Sequence, residues 1–256
     1  MENELLHHFI LQKEQIRSYK KQYLTADPFP HIIIDDFLPL GSAKKILKHF
    51  PDKNSADFAQ KDYKKHQVKK LGQVQKSYFS NIDPWLRNVL YEFNSMAFLE
   101  YLENLTGYDG LIPDPHFRGG AFHSILRGGK LDVHADFNVD KRRMLRRCLN
   151  VLIYFNKDWD DSYNGHLELW DREMTACRQK IAPIFNRAVI FNTDSTSYHG
   201  HPDELLCPED RTRKSIALYY YVSDPGVFDK SVKEHTTLWR SSKKSRSLLS
   251  SIFGKG

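Results

Sequence analysis

Cysteine is scarce. Cys148, Cys177 and Cys207 are the only three in 256 residues. They are odd in number and widely spaced, and none stands in a CxxC pair. This excludes a disulfide framework and a paired-cysteine metal site. The simplest reading is a reduced, cytoplasmic chain with incidental thiols. Long apolar runs are also lacking. None approaches the roughly 18 residues of a membrane span, so no spanning segment is expected. The start, Met1-Glu2-Asn3-Glu4, is acidic and no apolar segment follows it, which argues against a secretory leader. No internal repeat is present, which sets repeat architectures aside.

Acidic residues are outnumbered, and the net charge is +6. The basic excess sits mainly in Lys61–Lys76 and Arg240–Lys255. Neither run fits a nucleic-acid-binding motif, so both read as solvated surface and no nucleic-acid partner is expected. The hydrophobic fraction of 40% and the 13% aromatic residues suit a chain that buries a substantial core.

The first part of the chain reads as helical. Leu5, Phe9, Ile16, Tyr19 and Tyr23 recur at helical steps, and Asp27-Pro28-Phe29-Pro30 ends that helix. His31–Phe37 is β-branched and strand-like. Ser42 is placed to cap a short helix running to Phe50. Residues 52–81 are polar, Lys-rich and aperiodic, and read as a long loop, either a lid over a site or a surface insertion. Asp83–Thr106 reads as two helices, with Pro84 in a first turn and Gly107 as a C-cap.

From His116 onward the pattern changes to short strands: Phe122–Leu126, Lys130–Asp136, Arg147–Asn156, His166–Trp170, Lys180–Phe185, Ala188–Asn192 and Arg213–Val222. Turn residues separate them, among them Gly128-Gly129 and Asn186-Arg187. Strands following helices predict an α+β protein. Its core would be a double-stranded β-helix, or jelly-roll, supported by N-terminal helices. The expected division is 1–110 for helices and an edge strand, 111–224 for the jelly-roll and 225–256 for a tail. That tail contains Trp239 and a small apolar cluster, Leu248–Phe253, and reads as a flexible end.

The chemistry centres on Leu131–Asn138. Residues two apart on a strand share a face, so His134 and Asp136 aim an imidazole and a carboxylate at one point. That is two thirds of the 2-His-1-carboxylate set that holds non-heme Fe(II). Ser197-Tyr198-His199-Gly200-His201-Pro202 offers the third ligand. His199 is the first choice, with His201 as the alternative. Further on, alternation places Arg213, Ser215 and Ala217 on one face. A guanidinium inside a barrel is costly unless paired. Either an internal carboxylate pairs it, or a bound dicarboxylate does so with the Ser215 hydroxyl as a further donor.

His134-Ala-Asp136, distal His199 and Arg213-x-Ser215 together resemble the Fe(II)- and 2-oxoglutarate-dependent oxygenases. Arg147–Trp159 and Gly165–Trp170 resemble the prolyl 4-hydroxylase-like branch of that superfamily, although His166 stands where the branch usually has a second glycine. The resemblance implies Fe(II) on His134, Asp136 and His199. It also implies 2-oxoglutarate with its C5 carboxylate on Arg213 and Tyr154, and O₂ as oxidant. Ascorbate is a further candidate reductant. The reaction implied is hydroxylation of an unactivated C–H bond, with succinate and CO₂ as co-products. A peptidyl side chain, a free amino acid and a glycan unit all remain open as substrates. Trp170, Arg118, Arg127 and Asn138 are candidate contacts to any of them. Asn150, on the same strand face as Tyr154, is a candidate pocket residue. The competing class is a non-catalytic jelly-roll binding module that keeps its metal ligands.

Overall fold

The computed structural model describes Leu5, His8, Phe9 and residues 13–56, 58–73, 82–228 and 230–240. The Leu248–Phe253 cluster lies outside the described residues. So does the end of the Lys-rich stretch beyond residue 73.

The helices form for local reasons. Helix α1 (Lys13–Thr25) carries buried Ile16 and Tyr23, and Leu5 and Phe9 are buried in the same core. Helix α2 (Leu40–His49) begins earlier than the sequence suggests. Pro39 precedes it without any side-chain cap, and Ser42 lies inside the helix and is buried. Helices α3 (Pro84–Glu92) and α4 (Met96–Thr106) follow as two pieces. Asp83 accepts from the backbone N–H of Trp85 and Leu86, Ser95 accepts from Phe98 N–H, and Gly107 ends α4 at φ +82°. Each of these side-chain caps stabilises its helix by about 1 kcal/mol. Phe9, Phe93, Phe98 and Tyr101 pack between helices and sheet, with the Phe9 and Phe98 ring centres 4.6 Å apart and the rings inclined at 62°.

The strands are β1 (His31–Ile34), β2 (Phe58–Gln60), β3 (Gln67–Gln73), β4 (Ile112–Pro113), β5 (Ala121–Ala135), β6 (Val139–Asp140), β7 (Leu145–Tyr154), β8 (Leu167–Trp170), β9 (Cys177–Ile181), β10 (Ala188–Asn192), β11 (His199–His201), β12 (Arg213–Val222) and β13 (Leu238–Trp239). Short α5 (Pro225–Phe228) lies between β12 and β13. The main path of pairing is β1-β10-β7-β12-β5-β11-β8-β9, and the paired strands are antiparallel throughout. This curled, mostly antiparallel sheet is the jelly-roll that the sequence leads one to expect.

Alternation divides the molecule into two layers. On β7, Val151 and Ile153 face the helices, while Asn150, Leu152 and Tyr154 face inward. On β12, Ile216, Leu218 and Tyr220 join the helical core, and Arg213, Ser215, Ala217 and Tyr219 turn to the cavity.

Three regions depart from the sequence reading. Gly128-Gly129 is no hairpin turn but lies within one 15-residue strand, β5. The first part of that strand pairs with β12 and its last part with β11, so β5 passes from one layer of the roll to the other. The glycines sit where it bends, as strands do when they switch sheets. The stretch 52–81 contains a hairpin, β2–β3, whose second strand pairs with β5. Its polar side chains carry no period-2 signal, because the backbone of β5 supplies the pairing. Finally, Leu238 and Trp239 in the expected tail form β13 on the same strand.

Asn186 ties the sheet to the helical layer. Its backbone is left-handed (φ +62°), and its amide exchanges two hydrogen bonds with the Leu38 backbone, 3.0 Å to Leu38 N and 2.8 Å to Leu38 O. Asn186→Ala strands two buried backbone groups. It should cost about 3 kcal/mol and lower the melting temperature by roughly 10 °C in a calorimetric scan.

Candidate metal centre and co-substrate pocket

Two strand irregularities bring the site together. On β11, His199 faces His134 and His201 faces Leu131, so two residues of β5, Asp132 and Val133, stand against Gly200 alone. This bulge turns both Leu131 and His134 toward the cavity. Gly200 makes the close approach possible, since a Cβ there would sit 2.8 Å from Leu131 O and 2.9 Å from Asp132 O. The His-Gly-His spacing therefore has a steric reason.

His134, Asp136 and His199 offer ligand atoms that all lie within 4.8 Å of one another. His134 Nε2 is 3.5 Å from Asp136 Oδ1, and His199 Nε2 is 3.5 Å from Asp136 Oδ2. Each imidazole donates Nδ1–H to a backbone carbonyl two residues earlier, Asp132 O and Ser197 O, both at 2.9 Å. A carbonyl can only accept, so this fixes the tautomer and leaves each Nε2 lone pair aimed at the shared point. Burial, then the facing His134, pushes the His199 imidazole down to about 4 despite Asp136, so it is neutral near pH 7. Burial alone would push the Asp136 carboxyl up. Arg147 is the largest opposing influence, and the carboxyl is held well below the ordinary carboxylate range. Two imidazole nitrogens and one ionised carboxylate fit Fe(II) with positions left open.

Asp136 is held by residues that sequence reasoning passed over or placed loosely. Its Oδ2 accepts from Arg147 Nη2 at 2.9 Å and Asn150 Nδ2 at 2.8 Å. Arg147 also donates to Asn150 Oδ1 and lies 3.7 Å from the centre of the Tyr219 ring. Asn150 is thus both a pocket residue and a brace for the carboxylate. His201 shares the inward face of β11 but stands one pleat further along, about 6.6 Å from His199 at ~3.3 Å per residue. It lies outside the ligand cluster, and its Nδ1 is buried without a partner.

Arg213 is buried on β12 and has no carboxylate partner among the described residues. Its Nε donates to Gly165 O at 2.7 Å, and its Nη2 to Tyr154 Oη at 3.2 Å. Gly165 has φ +77°, and a Cβ there would meet Arg213 Cδ at 3.1 Å, so only glycine allows this contact. Of the two readings open at the sequence level, the internal carboxylate is absent. The guanidinium keeps N–H donors directed at the cavity, and Ser215 lines the same wall.

The cavity measures about 370 Å³ and reaches from the triad to Arg213. Its outer edge comes from both ends of the chain. Trp239 stacks on His66 (4.9 Å, 14°) and Tyr63 (5.6 Å, 12°), and its ring centre lies 5.0 Å from that of His134. Lys70, on β3, also lines the cavity. Burial pushes its amine down to about 8, with Arg213 and Arg147 acting in the same direction against Asp136. Neither Lys70 nor Trp239 was visible as a site residue in the sequence, because strand pairing alone brings them here. Arg127 lies away from this cavity, bonding to the carbonyls of Leu206 and Cys207. Asn138 holds the backbone of Lys233 and His235, and Trp170 packs with Val133, Ala135 and Tyr198. Arg118 is the sequence-level contact candidate that does line the cavity.

Residues 120–221 match the family model described as the 2OG-Fe(II) oxygenase superfamily. A search of curated protein sequences gives no match. Among solved structures, a Trichoplax adhaerens prolyl hydroxylase in complex with a hypoxia-inducible-factor oxygen-degradation-domain peptide fragment is similar in fold. It has a TM-score of 0.59 and 20% identity, over 88% of this chain and 97% of the other. A Pseudomonas putida prolyl-4-hydroxylase aligns with a TM-score of 0.51 and 14% identity, over 81% and 98%. A Phytophthora capsici prolyl 4-hydroxylase gives 0.50 and 16%, over 88% and 68%. At these identities the likeness is one of fold. Among the described residues, no helix is long and apolar enough to cross a membrane.

Proposed function

We propose that this member of the 2OG-Fe(II) oxygenase superfamily, a 2-oxoglutarate-dependent dioxygenase, hydroxylates an unactivated C–H bond of a substrate bound beside the triad. Succinate and CO₂ would be the co-products. The observation that carries the reading is the convergence of His134, Asp136 and His199 in one cavity with a buried guanidinium that has no acidic partner among the described residues. In this reading residues 111–224 form the catalytic roll, 1–110 brace it, and the 225–256 segment adds β13 to its rim.

When bound by His134, Asp136 and His199, Fe(II) supplies the oxidative decarboxylation of 2-oxoglutarate by O₂. The chain's own groups do the rest. Arg213 and Tyr154 hold the distal carboxylate of the co-substrate, with Ser215 as a neighbouring hydroxyl. Arg147 and Asn150 keep Asp136 ionised and oriented. Leu152, Leu167 and Trp239 line the apolar part of the cavity and limit water. Ascorbate would act only as an accessory reductant.

The competing class, a sugar-binding or structural roll, has no use for a desolvated guanidinium in the cavity of its metal ligands. Succinate formation from 2-oxoglutarate with Fe(II) and O₂ separates the two. The wild type is expected to form succinate even without added substrate, and its loss in His134→Ala ties the activity to the triad. A wild-type protein that loads Fe(II) and leaves 2-oxoglutarate intact would support the binding module. A product heavier by about 16 Da marks the hydroxylated partner. Prolyl peptides are one arm of that screen, prompted by the neighbour that carries a peptide, and free amino acids and glycan units are the others.

A further inference from the structure

The cavity is unbalanced in charge. Lys61, Lys70, Arg118, Arg147 and Arg213 line it, against one carboxylate, Asp136. Asp136 is committed to Arg147. On the reading above, the distal carboxylate of 2-oxoglutarate is matched by Arg213. Lys61, Lys70 and Arg118 then remain without counter-charge among the described residues when the co-substrate is seated. Lys61 is exposed and solvated, but Lys70 and Arg118 are half-buried. Desolvated cations of one sign are costly unless a ligand completes them.

Lys70 occupies a particular place among them. It stands opposite Ile125 from one edge of β5, and Arg213 stands opposite the same Ile125 from the other edge. All three face the cavity. Two interstrand spacings of ~4.8 Å put the two cationic backbones about 10 Å apart. Arg213 and Lys70 thus flank Ile125 on one wall of the cavity, two strands apart. No described residue accepts a hydrogen bond from the Lys70 ammonium or pairs with it.

The inward aim of Lys70 depends on an irregular pairing. Val68 pairs with Lys130 and Lys70 with Ile125, so the single residue Lys69 faces the whole of 126–129. Lys69 is held at φ +53°, and its ammonium is 3.1 Å from Arg127 O. A non-glycine residue in the left-handed region is held there by its surroundings, and bulges beside sites re-aim side chains. Here the bulge turns Lys69 outward and Lys70 in.

We infer that the primary substrate is a small organic acid, whose carboxylate or phosphate is held by Lys70, two strands across the same wall from the co-substrate anchor. The inference rests on the dioxygenase reading and deepens it. A small molecule fits better than a macromolecule because about 370 Å³ must hold co-substrate and substrate together, at the low end of ligand-site volumes. The Trp239–His66–Tyr63 stack also narrows the outer edge. Arg118 adds to the attracting field.

The test uses the anaerobic Fe(II)–2-oxoglutarate form of the full chain. Three matched ligands are titrated calorimetrically: the N-acetyl amides of aspartate, phosphoserine and asparagine. The aspartate or phosphoserine compound should bind at least tenfold more tightly than the neutral asparagine one. Whichever binds more tightly identifies carboxylate or phosphate. Lys70→Gln should abolish the preference, Lys70→Arg should retain it, and both should bind 2-oxoglutarate within threefold of wild type. Lys70→Gln should melt no lower than wild type, because it removes an unpaired amine. Equal binding of all three ligands, binding of none, or a preference that survives Lys70→Gln overturns the inference. A tenfold loss of 2-oxoglutarate affinity in Lys70→Gln also overturns it, by giving the amine to the co-substrate. A wild type that binds no 2-oxoglutarate instead removes the dioxygenase reading itself.

Discussion

A His199→Ala protein binds Fe(II) at least about a hundredfold more weakly than the wild type and forms no succinate above background, while His201→Ala keeps its metal. Loss of even an outer partner of a metal ligand costs ten- to a hundredfold in affinity, and His199 is one of the three direct candidates. Its Nδ1 is tied to Ser197 O and its Nε2 faces Asp136, so no small rotation lets a neighbour replace it. The contrast with His201 is informative because the two histidines share a strand and a face. His201 lines the same cavity but stands outside the ligand cluster. Metal content measured after dialysis against limiting Fe(II), together with succinate yield, separates the two variants. Equal losses in both would place the metal between β11 residues and dissolve the triad.

Arg213→Leu should weaken 2-oxoglutarate by 2–5 kcal/mol, the usual cost of truncating one partner of a desolvated charge pair. At about 1.4 kcal/mol per decade, that is a loss of thirty- to several-thousandfold. The effect belongs in KM for 2-oxoglutarate. Fe(II) affinity should be unchanged, since Arg213 contacts Gly165 and Tyr154 rather than the triad. The fold should survive, because replacing a buried, acid-free guanidinium by an apolar side chain is often neutral or better. Tyr154→Phe removes one hydroxyl from the same carboxylate and should cost about 1 kcal/mol, the size of a single hydrogen bond. A fall in kcat at saturating co-substrate with KM unmoved would mean that the guanidinium does something other than anchor.

Much of this site can be read from local pattern. His134 and Asp136 need only the two-residue repeat of a strand, and Arg213 with Ser215 needs the same repeat further on. The choice between His199 and His201 cannot be made that way, since the repeat treats them alike. It takes the register of β11 against β5, a contact between residues some 65 positions apart. The Gly128-Gly129 pair signals a turn in any local reading, and only the long-range pairing of both halves of β5 shows it to be a bend. Lys70 and Trp239 belong to polar or very short strands whose own side chains carry no periodic signal. Arg147 sits inside a recognisable strand, but its partnership with Asp136 forms only because the 137–146 connection brings the start of β7 back beside the end of β5. The jelly-roll and the two pieces of the second helical stretch are legible because apolar period and caps are local properties. The hairpin in 58–73 is not, because its stability is borrowed from a neighbour.

The long bent strand has a last consequence, for spacing. β11 and β12, which carry the third ligand and the guanidinium, bind one margin of β5 and continue into the body of the roll. β3 and β13 bind the opposite margin, and among the described residues the pairing beyond them ends at β2. The third ligand and the guanidinium thus hang from one margin of β5, and the rim residues Lys70 and Trp239 hang from the other, so a single strand sets the distance between the reactive groups and the mouth of the cavity.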